Sequence, residues 1–424
     1  MSSRRIPFLC AVLFLAAAPV RSGGPISEPA VWNERGLRSY RDGKFHNAIL
    51  CFETAAAALP ADETIRFNLA SSHAREALRI AQDGASVDGY ETAVREAKQA
   101  IAIDDGIPFF YKVLGFVHQE NGVFMEAHRA YREAARLDPE DADAWALSGD
   151  TAYRLDLQEE AIRCWESAVR LDPERSELCR RIDKAGREGE LEDGYREARS
   201  PHFRITYDAG YPDARALVGG MLDALEEARR RVHRELGRFG EQTVSGVAYP
   251  PGDFRRLMEG HGWTRGLYDG KIRVPFPESG EVDRAFRETA THEYTHVVVF
   301  EWVGNRCPAW LNEGLAQNVA GEWTAARSRA AGRIAAVSGF LPLEGLEDSF
   351  LDLPESLVEV AYLESYLVVA HIRTAYTGRH MSRLLDRIGD GTPPEQAVRE
   401  VLHRDYTQLL EQALAPYQGA VSAR

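Results

Sequence analysis

The residues whose types and spacing could do chemistry lie in the second half of the chain. His292-Glu293-Tyr294-Thr295-His296 spells H-E-x-x-H inside the stretch from Glu281 to Val303, where Phe286, Ala290, Tyr294 and Val298 follow one another at i+4 steps. That period predicts a helix with one apolar stripe. On a helix, residues i and i+4 stand one above the other, so both imidazoles can reach one ion. Glu293 is then turned towards the open coordination position, where a reacting water would sit. With 12 histidines and 65 acidic residues in the chain, the string arises by chance in roughly 5% of such sequences or fewer, so alone it is only suggestive.

A further carboxylate sharpens the reading. After a break at Gly304-Asn305 comes Pro308-Ala-Trp-Leu-Asn-Glu313-Gly-Leu-Ala316, which predicts a second helix with proline near its first turn. Two antiparallel helices joined by a short turn would return Glu313 to the histidine pair. Two histidines, one glutamate and a free fourth position describe a catalytic zinc, one per chain, whereas a structural site would be closed and richer in cysteine. His292, His296 and Glu313 are therefore the expected metal ligands.

The surrounding pattern is mixed. Residues 202–207 and 243–249 read as strands, 212–238 as a long amphipathic helix, and 271–275 as an edge strand limited by Pro275. Such an edge would offer main-chain hydrogen bonds to an extended substrate. Residues 382–417 read as helices without identifiable chemistry, and His261, Tyr268 and His371 as structural.

The first half is helical and repeats. Gly115, Ala127, Ala134, Leu137, Asp138 and Pro139 recur 34 residues later as Gly149, Ala161, Ala168, Leu171, Asp172 and Pro173. An earlier copy has Gly36, Tyr40, Ala48, Ala55 and Pro60, and a degenerate unit between them carries about 11 extra residues, placed in a longer turn at Gly84–Gly89. The period resembles that of tetratricopeptide repeats, with about four units over roughly residues 30–175 and a charged capping helix at 176–198. The resemblance implies an all-α solenoid that holds an extended peptide or protein partner on its concave face.

Length and composition fit this division. A chain of 424 residues, 44% hydrophobic and 27% charged, is ordinary globular material of two or three domains. The net charge of −14 argues against a protein whose main partner is a nucleic acid. Arg4-Arg5, an apolar run from Ile6 to Val20 and then Arg21-Ser22 has the layout of a secretory signal peptide cleaved after Ser22. Cleavage removes Arg4, Arg5 and Arg21, which leaves 48 basic against 65 acidic groups and a charge of −17. No later stretch suits a membrane span, so an exported protein, periplasmic or secreted, is expected. Export would permit Cys51, Cys164, Cys179 and Cys307 to form up to two disulfides in three connectivities; buried free thiols are the other reading.

H-E-x-x-H followed by W-L-N-E-G-x-A resembles the gluzincin metallopeptidases, and the short spacing is most similar to the bacterial peptidase MA-like group. The resemblance covers about residues 200–415 and extends to Ser200-Pro-His-Phe, Gly266-Leu-Tyr-Asp-Gly-Lys-Ile-Arg-Val-Pro275 and Ala361-Tyr-Leu-Glu-Ser-Tyr366. It implies an α+β zinc peptidase domain with His292, His296 and Glu313 as ligands and Glu293 as general base. Tyr362 resembles the tyrosine that steadies the oxyanion in related aminopeptidases. Two positions depart from the pattern. The aminopeptidase motif G-x-M-E-N is absent, and Gln317 stands where thermolysin-like enzymes place an aspartate that orients a histidine. The expected organisation is thus a signal peptide (1–22), a repeat array with its cap (23–198) and a peptidase domain (199–424). The expected activity is peptide-bond hydrolysis; the alternative is a catalytically inactive zinc-binding repeat scaffold for envelope protein assembly.

Overall fold

The computed structural model describes residues 28–82, 87–240, 243–258, 267–337, 340–350 and 353–418. The expected signal peptide, His261 and residues 84–86 lie outside them. The chain divides into two compact units between Ala185 and Gly186.

The first unit is built from helices in antiparallel pairs: α1 (Glu28–Arg41) with α2 (Phe45–Ala58), α3 (Glu63–Gln82) with α4 (Val87–Ile103), α5 (Pro108–Glu120) with α6 (Phe124–Leu137), and α7 (Ala142–Arg154) with α8 (Gln158–Leu171). Three pairs share one crossing. A Cβ on Gly36, Gly115 or Gly149 would come within 2.6 Å of Phe52, within 2.6 Å of Tyr131 and within 2.5 Å of Trp165, respectively. Each aromatic ring stands in the space its glycine leaves, and the repeating alanines behind it (Ala48, Ala55, Ala127, Ala134, Ala161, Ala168) are fully buried. The unit is therefore a helical solenoid with tetratricopeptide packing. The ring facing each glycine is hidden from the repeat pattern, because its identity changes from Phe to Tyr to Trp.

In the degenerate unit the extra residues lengthen the helices: α3 has 20 residues and α4 has 17, against 13 and 14 in α5 and α6. Val87 and Gly89, expected in a long turn, already belong to α4.

A ninth helix, α9 (Ser176–Glu192), stops short of the expected capping helix. Gly194 has φ +76°, a left-handed conformation that ends it. Arg196–Arg199 then forms β1, antiparallel to β2 (Phe203–Tyr207). Its sequence, Arg-Glu-Ala-Arg, is almost wholly polar, because this outermost strand is mostly exposed and has little apolar surface to bury.

In the second unit, β1 and β2 lead to α10 (Ala214–Leu236), β3 (Val244–Tyr249), α11 (Pro251–Leu257), and the short hairpin of β4 (Leu267–Tyr268) and β5 (Ile272–Pro275). Next come α12 (Arg284–Val303), α13 (Ala309–Ala320), α14 (Ala325–Val337), α15 (Glu355–Ala375), α16 (Gly378–Gly389), α17 (Pro394–Leu402) and α18 (Tyr406–Gln418). The five-stranded sheet has the order β1-β2-β3-β5-β4, with β2, β3 and β5 parallel and the two outer strands antiparallel. The expected edge strand is thus an inner one. β5 pairs with β3 on one side and β4 on the other, and Pro275 is tolerated because it falls at the strand's last residue. The core joins the sheet to α10, α12, α13 and α15.

Among the described residues, no helix is long and apolar enough to cross a membrane. Cys51, Cys164, Cys179 and Cys307 are all free. Glu364 on α15 is fully buried, accepts the Leu341 N–H at 2.9 Å through Oε2, and has no partner for Oε1.

Gly115→Val should lower the urea midpoint, at a cost of about 1–3 kcal/mol, because overpacking against Tyr131 exceeds the gain from losing a helical glycine. Burial pushes the Glu364 carboxyl up to about 8. Since this lies above its unfolded value, the cost of burying the charge is absent in acid and grows as pH rises towards 8. Glu364→Gln should therefore flatten the decline in stability between pH 5 and 8; an unchanged decline would show that Glu364 does not cause it.

Candidate metal centre

The histidine helix is set by its ends and its buried stripe. Asp283 caps α12 by accepting the Phe286 N–H at 2.9 Å, while Phe286, Ala290, Tyr294 and Val298 are buried in the core. Gly304 ends the helix in a conformation with φ +62°, and Pro308 starts α13 after a short turn. The return of α13 then depends on Gly314. A Cβ there would strike the Ser365 carbonyl and the Val369 side chain, so only glycine lets α13 approach α15 this closely.

That approach brings Glu313 to the histidines. Its Oε2 lies 3.4 Å from His292 Nε2 and 3.7 Å from His296 Nε2. The three ligand atoms all lie within 4.8 Å of one another, and among the described residues no other such group of three occurs. In a tetrahedral zinc site with bonds near 2.0–2.1 Å, ligand atoms stand about 3.3 Å apart. Glu313 Oε2 is buried and makes no well-formed hydrogen bond, as a carboxylate oxygen shaped for a cation would.

The opposite edges of the two rings are also occupied. His292 Nδ1 donates to Glu322 Oε1 at 2.7 Å, and His296 Nδ1 to Asn312 Oδ1 at 3.0 Å. With a proton held at Nδ1, Nε2 is the atom each ring has left to offer a metal ion on the Glu313 side. The residues present fit a divalent metal held by three protein ligands.

The electrostatics reflect a crowded, buried set of charges. Burial disfavours the His292 imidazolium, but the Glu313 and Glu322 carboxylates beside it outweigh burial and hold the pKa well above the ordinary range. At His296 burial prevails over Glu313, and the pKa is lowered. Burial raises the Glu313 carboxyl, yet the two histidines bring it below its usual value. Glu293, 4% exposed, is pushed up to about 8 by burial, with Glu313, Glu322 and Asp269 adding to the rise and His292 opposing it.

Three of the five residues read from the sequence meet at one place, and the other two lie within reach of their charges. His292, His296 and Glu313 converge, Glu293 shares their helix, and the Tyr362 hydroxyl stands in the field of Glu313, Glu293 and Glu322. Burial first, and those carboxylates next, hold that phenol in its protonated, donating form. Its ring meets Phe350 edge-on with centroids 5.2 Å apart.

Two further residues of the site are not legible from the motif alone. Asn312 immediately precedes Glu313 within the quoted W-L-N-E string, and its place one residue before a ligand on a short helix was the available signal. Glu322 lies past the end of α13 and carries no local signal. Gln317, where the resemblance would place an aspartate, is engaged elsewhere: its Nε2 donates to the Tyr362 carbonyl at 3.0 Å and its Oε1 accepts from Arg327 at 3.0 Å.

No protein-family model and no curated protein matches the sequence. Among solved structures, a crystal structure of MamA is similar at 19% identity, covering 37% of this chain and 86% of that one with a TM-score of 0.29. A thermophilic tetratricopeptide repeat protein of Thermus thermophilus is similar at 15% identity over 37% of this chain and 98% of its own, TM-score 0.24. An O-GlcNAc transferase mutant of Thermobaculum terrenum aligns over 93% of this chain and 94% of its own at 12% identity, TM-score 0.28. These scores are too low to establish a shared fold, and the repeat architecture rests on the helix crossings described above.

If the centre holds metal as its geometry suggests, the purified chain should carry about one zinc, and His296→Ala should lose it. Elemental analysis of the two proteins checks this; equal metal content in both would remove His296 from the ligand set.

Proposed function

We propose that the second unit is a zinc-dependent hydrolase acting on peptide bonds, with the gluzincin arrangement of His292, His296 and Glu313 as ligands. The observation that carries this reading is the convergence of two Nε2 atoms on one buried, otherwise unsatisfied oxygen of Glu313, with both Nδ1 positions held by acceptors. A zinc ion bound there would supply Lewis-acid polarisation of a carbonyl and would acidify water. Glu293 takes the proton of the attacking water and returns it to the leaving nitrogen. The Tyr362 hydroxyl donates to the oxygen on which negative charge develops. Because G-x-M-E-N is missing, the reading includes no preference for free N-termini.

The repeat array would recruit the substrate or a protein partner along its concave face, as solenoids of stacked helix pairs do. The N-terminal Arg4-Arg5, apolar run and Ser22 support export to the periplasm or the medium.

Glu293→Gln separates an enzyme from a zinc-binding scaffold for envelope protein assembly. Zinc content should remain near wild type while cleavage of unfolded protein substrates, followed by mass spectrometry, falls by at least about 100-fold. Wild type and variant behaving alike, both loaded with zinc and neither cleaving, would favour the scaffold.

A further inference from the structure

The resemblance places an aspartate at position 317 to orient a histidine, and this chain has Gln317 there. The structure performs that orientation through a longer route. At the end of α13 the Gln317 carbonyl accepts both the Gly321 N–H at 3.0 Å and the Glu322 N–H at 3.1 Å. Gly321, at φ +78°, supplies the left-handed turn these two bonds require. The backbone of Gln317 thereby fixes where Glu322 leaves the helix, and Glu322 reaches back to His292 Nδ1 at 2.7 Å.

The other side of Glu322 is held from the next helix. Thr324 precedes α14 and accepts the Arg327 N–H at 3.2 Å through its hydroxyl, which caps the helix and places Arg327 in its first turn. From there an Arg327 Nη1–H donates to Gln317 Oε1 at 3.0 Å, and the same nitrogen lies 3.1 Å from Glu322 Oε2. One guanidinium nitrogen therefore joins the side chain of Gln317 to the carboxylate that orients His292. The charges agree with this role. Glu293, Glu313 and Glu322 put three carboxylates around one dication, and Arg327 supplies the remaining positive charge. Glu322 and Arg327 are 16% and 34% exposed at the side chain, so water screens the pair only in part.

We propose that Arg327 is a positioning residue for the metal centre: together with Gln317 it clamps Glu322 against His292 and so sets how tightly the ion is held. The inference rests on the metal site proposed above. Removing Arg327 would take away one of the groups that hold Glu322, and with it part of the restraint on the acceptor that fixes the His292 ring. Changes to groups that orient a metal-ligating histidine typically cost about 10–100-fold in metal affinity.

The test measures zinc affinity in the full chain by competition with a chromophoric chelator, so no substrate is needed. Arg327→Met should weaken zinc binding by about 10–100-fold. Arg327→Lys should recover part of that loss, because an ammonium keeps the charge without the guanidinium's planar fork. Arg329→Met, an exposed position on the same helix, should leave affinity unchanged. In Glu322→Gln, adding Arg327→Met should cost little more, since both changes break one linkage. Cobalt loaded in place of zinc gives a second readout: the visible absorption of Arg327→Met should shift from that of wild type. Wild-type zinc affinity in Arg327→Met, with an unchanged cobalt spectrum, overturns the inference and leaves the metal site standing. Absence of zinc from the wild-type chain overturns both.

Discussion

Much of the second unit is organised by one electrostatic requirement. Two imidazoles and the carboxylates of Glu293, Glu313 and Glu322 are gathered in a poorly solvated place, where an isolated charge costs several kcal/mol unless it is matched. The protein offsets this by fixed pairing: Glu322 and Asn312 at the two Nδ1 atoms, Arg327 on Glu322, and the two Nε2 atoms facing Glu313 Oε2. Glu313 Oε2 faces both Nε2 atoms without a well-formed hydrogen bond, and its location marks where a cation fits.

That arrangement dictates how closely the helices must approach. α13 can deliver Glu313 only if it runs back beside α12, and it can present Gln317 to the Tyr362 carbonyl only if it lies almost against α15. Gly314 provides the second condition, and Asn318 reinforces it by donating to the Tyr366 carbonyl at 3.0 Å. The sheet contributes at a remove. Arg273 of β5 is fully buried and pairs with Asp269 in the β4–β5 turn, 3.2 Å away, and with Glu188 of α9, also at 3.2 Å. Asp269 in turn contributes to the field at Glu293, so the turn is electrically part of the site.

The two halves of the chain use glycine in a common way for different ends. In the repeats, Gly36, Gly115 and Gly149 admit an aromatic ring, so the helices of a pair cross on a large side chain. In the second unit Gly314 admits a neighbouring backbone, so helices lie close enough for side chains to reach main-chain carbonyls. The first arrangement tolerates Phe, Tyr or Trp and can be repeated along a solenoid; the second is specific to one place.

Local and periodic features were legible in the sequence. The i, i+4 spacing put His292 and His296 on one face because a helix permits nothing else, and the 34-residue recurrence announced helix pairs because the same small residues must return at each crossing. Features that depend on which segments meet were not. An inner position for β5 and a polar strand at 196–199 follow from neighbours supplied by distant parts of the chain, and a short hydrophilic strand has no period to reveal it. The partner of His292 shows the same division. Position 317 suggested that an acid was missing, yet only the folded turn at Gly321 and the capped start of α14 bring Glu322 and Arg327 to the ring. Sequence sets which groups one element presents on one face; tertiary structure decides what those groups face, because that contact is made across elements whose spacing in the chain does not encode their distance in space.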